Sequence, residues 1–138
     1  MGFHNLQVSK DAGDVTMIFN NAGIMGPVGK SWDLDLNLGK KTFEINLFSH
    51  WYILREIFPR MMKNEKGHVI GICSIAGFLW CPEWATYAAS KHAVKAYYEG
   101  LKEDLRFRSP NSKIKITLVY PGLIATNMTK PFKLEQKE

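Results

Sequence analysis

Three observations predict an α/β fold built on a parallel sheet. Short β-rich runs alternate with long helical stretches in the order strand–helix–strand–helix–strand. The first two strands are apolar runs that end in turn formers, as parallel strands covered on their faces do. The two segments between the strands are long enough for right-handed crossovers, and the first carries the three-and-four spacing of an amphipathic helix.

Val15-Thr16-Met17-Ile18-Phe19 is the first run, ending at Asn20 and Asn21 with Gly23 close behind; it reads as a buried parallel strand. A loop holding Gly26, Pro27 and Gly29 follows. From about Gly39 to Met62, the residues Phe43, Leu47, Trp51, Leu54 and Phe58 recur one helical turn apart, which predicts one long helix. Pro59 is expected to kink or narrow its last turn. His68-Val69-Ile70-Gly71-Ile72-Cys73 is a second buried strand, entered through Gly67. A second long helix is expected from about Glu83 to Phe107, ending near Ser109-Pro110. Lys113 to Tyr120 alternates and stops at Pro121-Gly122, giving the third strand. After Gly122 a loop with one helical turn is expected, and the polar residues 130–138 form a flexible tail. The 138 residues make one domain, with no internal repeat or linker.

The formal charge is +5. The basic residues, such as Lys102, Arg106, Lys113 and Lys115, are spread out rather than clustered with stacking aromatics. That pattern is a solvated basic face and does not predict nucleic-acid binding. Cys73 and Cys81 are the only cysteines, without a second ligand pair for a metal and too few for a disulfide framework, so a reducing compartment fits. No signal-peptide core and no transmembrane stretch is visible in the sequence. The glycosylation sequon Asn127-Met128-Thr129 is read as accidental.

In parallel α/β sheets ligands bind outside the carboxyl ends of the strands. Here those ends are Asn20 to Gly23, Ser74 to Gly77 and Pro121 to Thr126, and the candidate functional residues lie at them or on the next helix. The sharpest candidate is Tyr87-Ala88-Ala89-Ser90-Lys91. Tyrosine and lysine four apart share one helix face. An ammonium at about 5 Å, with an effective dielectric near 20, favours the phenolate by roughly 3 kcal/mol, or about two pKa units. Tyr87 is then poised to exchange a proton with an alcohol oxygen. Ser74 ends the preceding strand, thirteen residues earlier, where its hydroxyl can meet the same oxygen. Asn46 sits mid-helix, a poor place for asparagine on propensity; it is either a satisfied interior polar group or the holder of a water in a proton relay toward Lys91.

With Asn20-Asn21-Ala22-Gly23, Asn46, Ser74, Tyr87…Lys91, Pro121-Gly122 and Thr126 in this order and spacing, the sequence resembles the short-chain dehydrogenase/reductase family. The resemblance implies a partial Rossmann-type, doubly wound parallel sheet with three central strands and two long helices. It implies a catalytic tetrad of Asn46, Ser74, Tyr87 and Lys91. Tyr87 is the acid/base, Ser74 positions the substrate oxygen, Lys91 lowers the tyrosine pKa and holds the nicotinamide ribose, and Asn46 completes the relay. Asn20, Ala22 and Gly23 line the adenosine side of an NAD or NADP cofactor, Tyr87 contacts the cofactor together with Lys91, Pro121 and Gly122 pack by the nicotinamide, and Thr126 bonds its carboxamide. The expected reaction interconverts an alcohol and a ketone or aldehyde.

Within the family the chain looks most like the 17β-hydroxysteroid and retinol dehydrogenase group. That implies an apolar substrate such as a steroid or retinoid, with Phe78, Leu79, Trp80 and Trp84 either lining part of its pocket or belonging to the core. It also implies a homodimer through the two long helices, and a location in the cytoplasm or at the cytosolic side of the endoplasmic reticulum or lipid droplets.

The resemblance covers nearly the whole chain but only the middle of the family's domain. No glycine-rich strand–turn–helix that could cradle a pyrophosphate precedes Val15, and the spacing of Gly23, Gly26 and Gly29 is wrong for one. The first β-α units are therefore expected to be missing. Crossovers of one hand place both helices on one sheet face, so the other face should be bare and the first strand an open edge. Marginal stability or aggregation of the isolated chain is expected. The alternative to an active oxidoreductase is a truncated, inactive relative acting at most as a dimerisation partner.

Overall fold

The computed structural model describes residues 13–129; the tail expected at 130–138 lies outside them. Strands β1 (Met17–Asn20), β2 (His68–Ile72) and β3 (Lys115–Val119) form a parallel sheet in the order β1-β2-β3. Asn20 pairs with Gly71 and Ile72 with Val119, so the three carboxyl ends meet along one edge. The expected fold class stands.

The first long helix is α1 (Leu36–Phe43), a π-helical turn (Glu44–Phe48) and α2 (Ser49–Lys63), running without a break. It begins earlier than its apolar spacing suggested because Asp35 caps it, accepting from the amides of Asn37 at 2.8 Å and Leu38 at 3.3 Å. The wide turn centred on Asn46 was not expected. Pro59 lies inside α2, which continues to Lys63. The second long helix, α3 (Ala85–Arg108), starts after the expected Glu83. Glu83 stands in the left-handed region at φ 69°, and its carbonyl accepts from the Gly29 amide at 3.0 Å, so it belongs to a turn.

Both helices cover one face of the sheet. Leu54, Ile57 and Met61 of α2 and Val94 and Tyr98 of α3 close over Ile18 and Val69 as one buried cluster. Gly71 is where the sheet makes room for α3, because a Cβ there would lie 2.6 Å from the Tyr98 ring. On the opposite face Met17 is 53% and Phe19 64% exposed. β1 is therefore not the fully buried run its composition suggested: Ile18 and Asn20 point into the core while alternate residues face outward. Among the described residues no helix is long and apolar enough to cross a membrane. Among them, too, no group of three or more His, Cys, Asp and Glu could hold a metal ion.

Candidate active site

The site grows from the end of β2. Cys73 donates its amide to the Val119 carbonyl at 2.8 Å and Ile75 donates to Pro121 at 3.0 Å. The chain after β2 is thus laced to the turn after β3, which sets Pro121-Gly122 beside Ser74. Ser74 is extended, and its Oγ accepts from the Ala76 amide at 3.1 Å to start the short 3₁₀ turn Ile75–Gly77. That turn packs tightly on α3. A Cβ on Gly77 would lie 2.9 Å from Cys73 Sγ and 3.1 Å from the Lys91 carbonyl. The same carbonyl accepts from Cys73 Sγ at 3.2 Å.

α3 brings Tyr87 and Lys91 to this point on one buried face. Lys91 Nζ lies 5.7 Å from the Tyr87 ring centre and donates to the Ile72 carbonyl at 3.2 Å, at the last residue of β2. The phenol is raised above its ordinary pKa, chiefly by burial, while the nearby Ser74 side chain draws it down in part. Burial likewise lowers Lys91.

Asn46 joins the loop after β1 to α3. Its Oδ1 accepts from the Ile24 amide at 2.8 Å, and its Nδ2 donates to the Ile24 carbonyl at 3.0 Å and to Ser90 Oγ at 2.9 Å. Ser90 Oγ in turn donates to the Tyr87 carbonyl at 2.7 Å. The Asn46 bonds fall in the π-helical turn Glu44–Phe48, a form of helix widening frequent at functional sites. A Cβ on Gly23 would stand 3.5 Å from both Asn46 Oδ1 and Lys91 Nζ, so Gly23 is where these two groups converge.

A cavity of about 380 Å³ lies over these residues. Ser74, Tyr87, Lys91 and Thr126 form its polar side, with Gly23, Pro121 and Gly122 beside them. Much of the remaining wall is apolar, with Met25, Ile75, Leu79 and Trp84. The 124–129 turn is held by Thr129, which is buried. Its Oγ1 donates to the Ile124 carbonyl at 2.7 Å and accepts from the Thr126 amide at 2.9 Å.

The sequence matches the family model for short chain dehydrogenases over residues 6–137. The chain belongs to the short-chain dehydrogenase family. It is 33% identical over 124 residues to human 17-beta-hydroxysteroid dehydrogenase 13, covering 90% of this chain and 41% of that protein. It is also 33% identical over 120 residues to the 1-deoxy-11-beta-hydroxypentalenate dehydrogenase of Streptomyces exfoliatus, covering 86% of this chain and 42% of the relative. A short-chain dehydrogenase/reductase from Burkholderia phymatum, solved in complex with NAD, superposes with a TM-score of 0.78 at 29% identity over 91% of this chain and 44% of its own. The chain thus spans about two-fifths of the length of the curated relatives it matches.

In this short-chain dehydrogenase the expected site residues are not all in the expected places. Ser74, Tyr87, Lys91, Gly23, Pro121, Gly122 and Thr126 share one cavity. Asn46 is fully buried beside it. Asn20 is turned into the core, 3% exposed, where its Nδ2 donates to the Tyr98 hydroxyl at 2.8 Å. Ala22 is exposed and does not line the cavity, whereas Asn21 does. Of the four aromatic and aliphatic residues expected around the substrate, Leu79 and Trp84 line the wall. Trp80 is 80% exposed, and Phe78 packs on Tyr120 at 4.5 Å under the Lys95 ammonium. The expected net lowering of the tyrosine pKa is also corrected: burial of the phenol outweighs the influences that favour the phenolate.

Two residues that hold the site, Ser90 and Thr129, and one buried titratable residue, His50, were not expected from the sequence. Ser90 lies inside the Tyr87–Lys91 segment and Thr129 follows Thr126 by one helical turn, so local spacing could have found both. His50 follows Asn46 by one turn but points to Tyr98, which spacing along one helix does not reveal.

Proposed function

We propose that this chain carries the proton-transfer half of an NAD(P)-dependent site that interconverts an apolar alcohol and its ketone or aldehyde. The observation that carries the reading is the convergence of Ser74, Tyr87 and Lys91 on one largely apolar cavity bounded by the Pro121–Thr126 turn. The cavity fits the nicotinamide end of such a cofactor. A side-chain carbon at Gly122 would meet nothing within 4 Å, and Gly23 leaves space beside Lys91 Nζ. Lys91 would hold the ribose hydroxyls, and the Thr126 hydroxyl the carboxamide.

When bound, the nicotinamide supplies or takes up the hydride. In the reducing direction the substrate carbonyl oxygen rests against the Ser74 and Tyr87 hydroxyls. The Tyr87 proton passes to that oxygen as negative charge develops on it, leaving a phenolate. The Lys91 ammonium stabilises this phenolate. Asn46 Oδ1 has a second lone pair beside Lys91, where it can hold the water that returns the proton. The apolar wall excludes bulk water and selects a hydrophobic substrate, for which a steroid or retinoid skeleton is suited.

The reading extends to assembly and place. Trp51 of α2 is half exposed and leans on Tyr97 of α3 at 5.5 Å, which supports a homodimer through these two helices. Leu79, Trp80, Leu123 and Ile124 are exposed at or beside the cavity rim, which supports action in the cytoplasm close to an apolar phase, such as the cytosolic side of the endoplasmic reticulum or of lipid droplets. The second reading, a dimerisation partner without catalysis, draws on the same aromatic face and on the bare side of the sheet.

Titration with NADH and with NADPH, followed by energy transfer from the tryptophans, separates the two. Trp84 lies in the cavity wall and should report a saturable signal with one of the two. A flat response to both would overturn the enzymatic reading and leave the dimerisation partner.

A further inference from the structure

His50 is a buried titratable residue that the proton-transfer scheme does not use. It is 1% exposed, and its Nε2 is the one buried side-chain polar atom among the described residues without a partner at full hydrogen-bond geometry. An unmatched buried nitrogen is destabilising, a cost that an apolar side chain in the same place would avoid. Its surroundings are specific. Nδ1 lies 3.3 Å from the Tyr98 hydroxyl, and the two rings meet edge to face at 5.8 Å. Tyr98 receives a hydrogen from Asn20 Nδ2 at 2.8 Å, so its own hydrogen is left for His50 Nδ1. Nδ1 then accepts, and the ring proton belongs on Nε2. With Nδ1 occupied, the Ala22 backbone, which favours the protonated ring, is left to the Nε2 side. Lys91 acts in the opposite sense, and burial with that ammonium keeps the imidazole neutral.

We propose that His50 is a positioning residue for the cofactor-facing turn Asn20–Gly23, holding its two ends through Tyr98–Asn20 on one side and an Nε2–H directed at the Ala22 carbonyl on the other. The inference deepens the NAD(P) reading and rests on it for its functional consequence. Tyr98 can serve as the relay because Gly71 leaves its ring room against the sheet. Three elements are thereby tied under one turn: the end of β1, α2 and α3. A neutral ring is part of the device, since a second cation beside Lys91 would repel the ammonium meant for the cofactor ribose.

The test begins without cofactor. Long-range proton–nitrogen correlation spectra of the imidazoles near neutral pH are expected to show His50 protonated on Nε2 and bare on Nδ1. Tyr98→Phe should spread the ring over both tautomers. A His50 protonated on Nδ1, or one that takes up a proton near its ordinary pKa of about 6.5, overturns the proposal. Next, His50→Phe and His50→Gln are compared for the amide shifts of Ala22 and Gly23 and for NADH and NADPH affinity. His50→Phe should move those amides and weaken binding about tenfold, near the worth of one hydrogen bond, and His50→Gln should recover most of both. A folded His50→Phe chain with unmoved amides, or with unchanged affinity, also overturns it. If the unaltered chain binds neither nucleotide, the NAD(P) reading fails by itself, and the tautomer and amide shifts still decide whether His50 holds the turn.

Discussion

At the scale of single residues, the site depends on what burial does to charge. Tyr87 and Lys91 sit one helical turn apart, and that pairing was legible because helix periodicity is a local property. The balance of their pKa values was not legible. It depends on how deeply α3 presses onto the 3₁₀ turn at Gly77, where a Cβ would touch both Cys73 and the Lys91 backbone. Burial raises the phenol and lowers the ammonium, so the phenol keeps its proton. A neutral phenol holding its proton beside Ser74 suits proton donation to a carbonyl. Tyr87→Phe keeps the ring packing and removes only the hydroxyl. It is therefore expected to lower carbonyl reduction by roughly 10²–10⁴-fold, the usual worth of a positioned acid, with NAD(P)H affinity unchanged. Steady-state rates with a hydrophobic ketone, read beside the fluorescence titration, check both halves. A variant that loses cofactor binding in step with turnover would assign Tyr87 to binding instead.

At the scale of elements, the most informative departure from a regular pattern is the π-helical turn at Glu44–Phe48. Apolar residues at three-and-four spacing described α1 and α2 well as one helix, because the stripe from Phe43 to Phe58 is what packs on the sheet. The widened turn left no mark in that stripe. At that turn the Asn46 side chain bonds a partner far away in sequence, the amide and carbonyl of Ile24. The asparagine was conspicuous for its low helix propensity, but propensity alone could not say what it bonds. Asn46→Ala would strip partners from the Ile24 backbone and from Ser90 together. The expected cost is about 3 kcal/mol, or a fall in melting temperature on the order of 10 °C. Because Ser90 also bonds the Tyr87 carbonyl, the same variant should loosen the turn that carries Tyr87. Differential scanning fluorimetry gives the first effect and hydrogen exchange at the Tyr87–Lys91 amides the second. A melt within 2 °C or so of the parent would mean that Asn46 serves the relay and not the framework.

At the scale of the molecule, two properties follow from covering the sheet on one side. The first is acid sensitivity. His50 is held down to about 4 from the ordinary 6.5, so below the ordinary value the unfolded chain binds a proton that the folded chain refuses. Stability is then complete above about pH 6.5 and is lost progressively as pH falls toward 4, by up to roughly 3 kcal/mol. His50→Gln should flatten that part of a stability–pH curve obtained by urea unfolding. The second property is the exposed apolar face of β1. One-sided crossovers were foreseeable from the order of elements and the handedness of their connections, and the exposure of Met17 and Phe19 agrees with them. Composition alone had pointed the other way, since a run as apolar as Val15–Phe19 reads as buried on both faces. Among the described residues β1 is also an edge of the sheet, so exposed apolar side chains and an open strand edge coincide there, the combination that favours strand-to-strand association. Phe19→Lys changes a side chain that faces away from α2 and α3. It should therefore raise the monomer fraction in light scattering at micromolar concentration while leaving the melting temperature within about 2 °C, as surface substitutions away from the core do. A large loss of stability instead would show that Phe19 is packed in solution, against another copy or against another stretch of chain, and the aggregation expected of the isolated sheet would then have its contact identified.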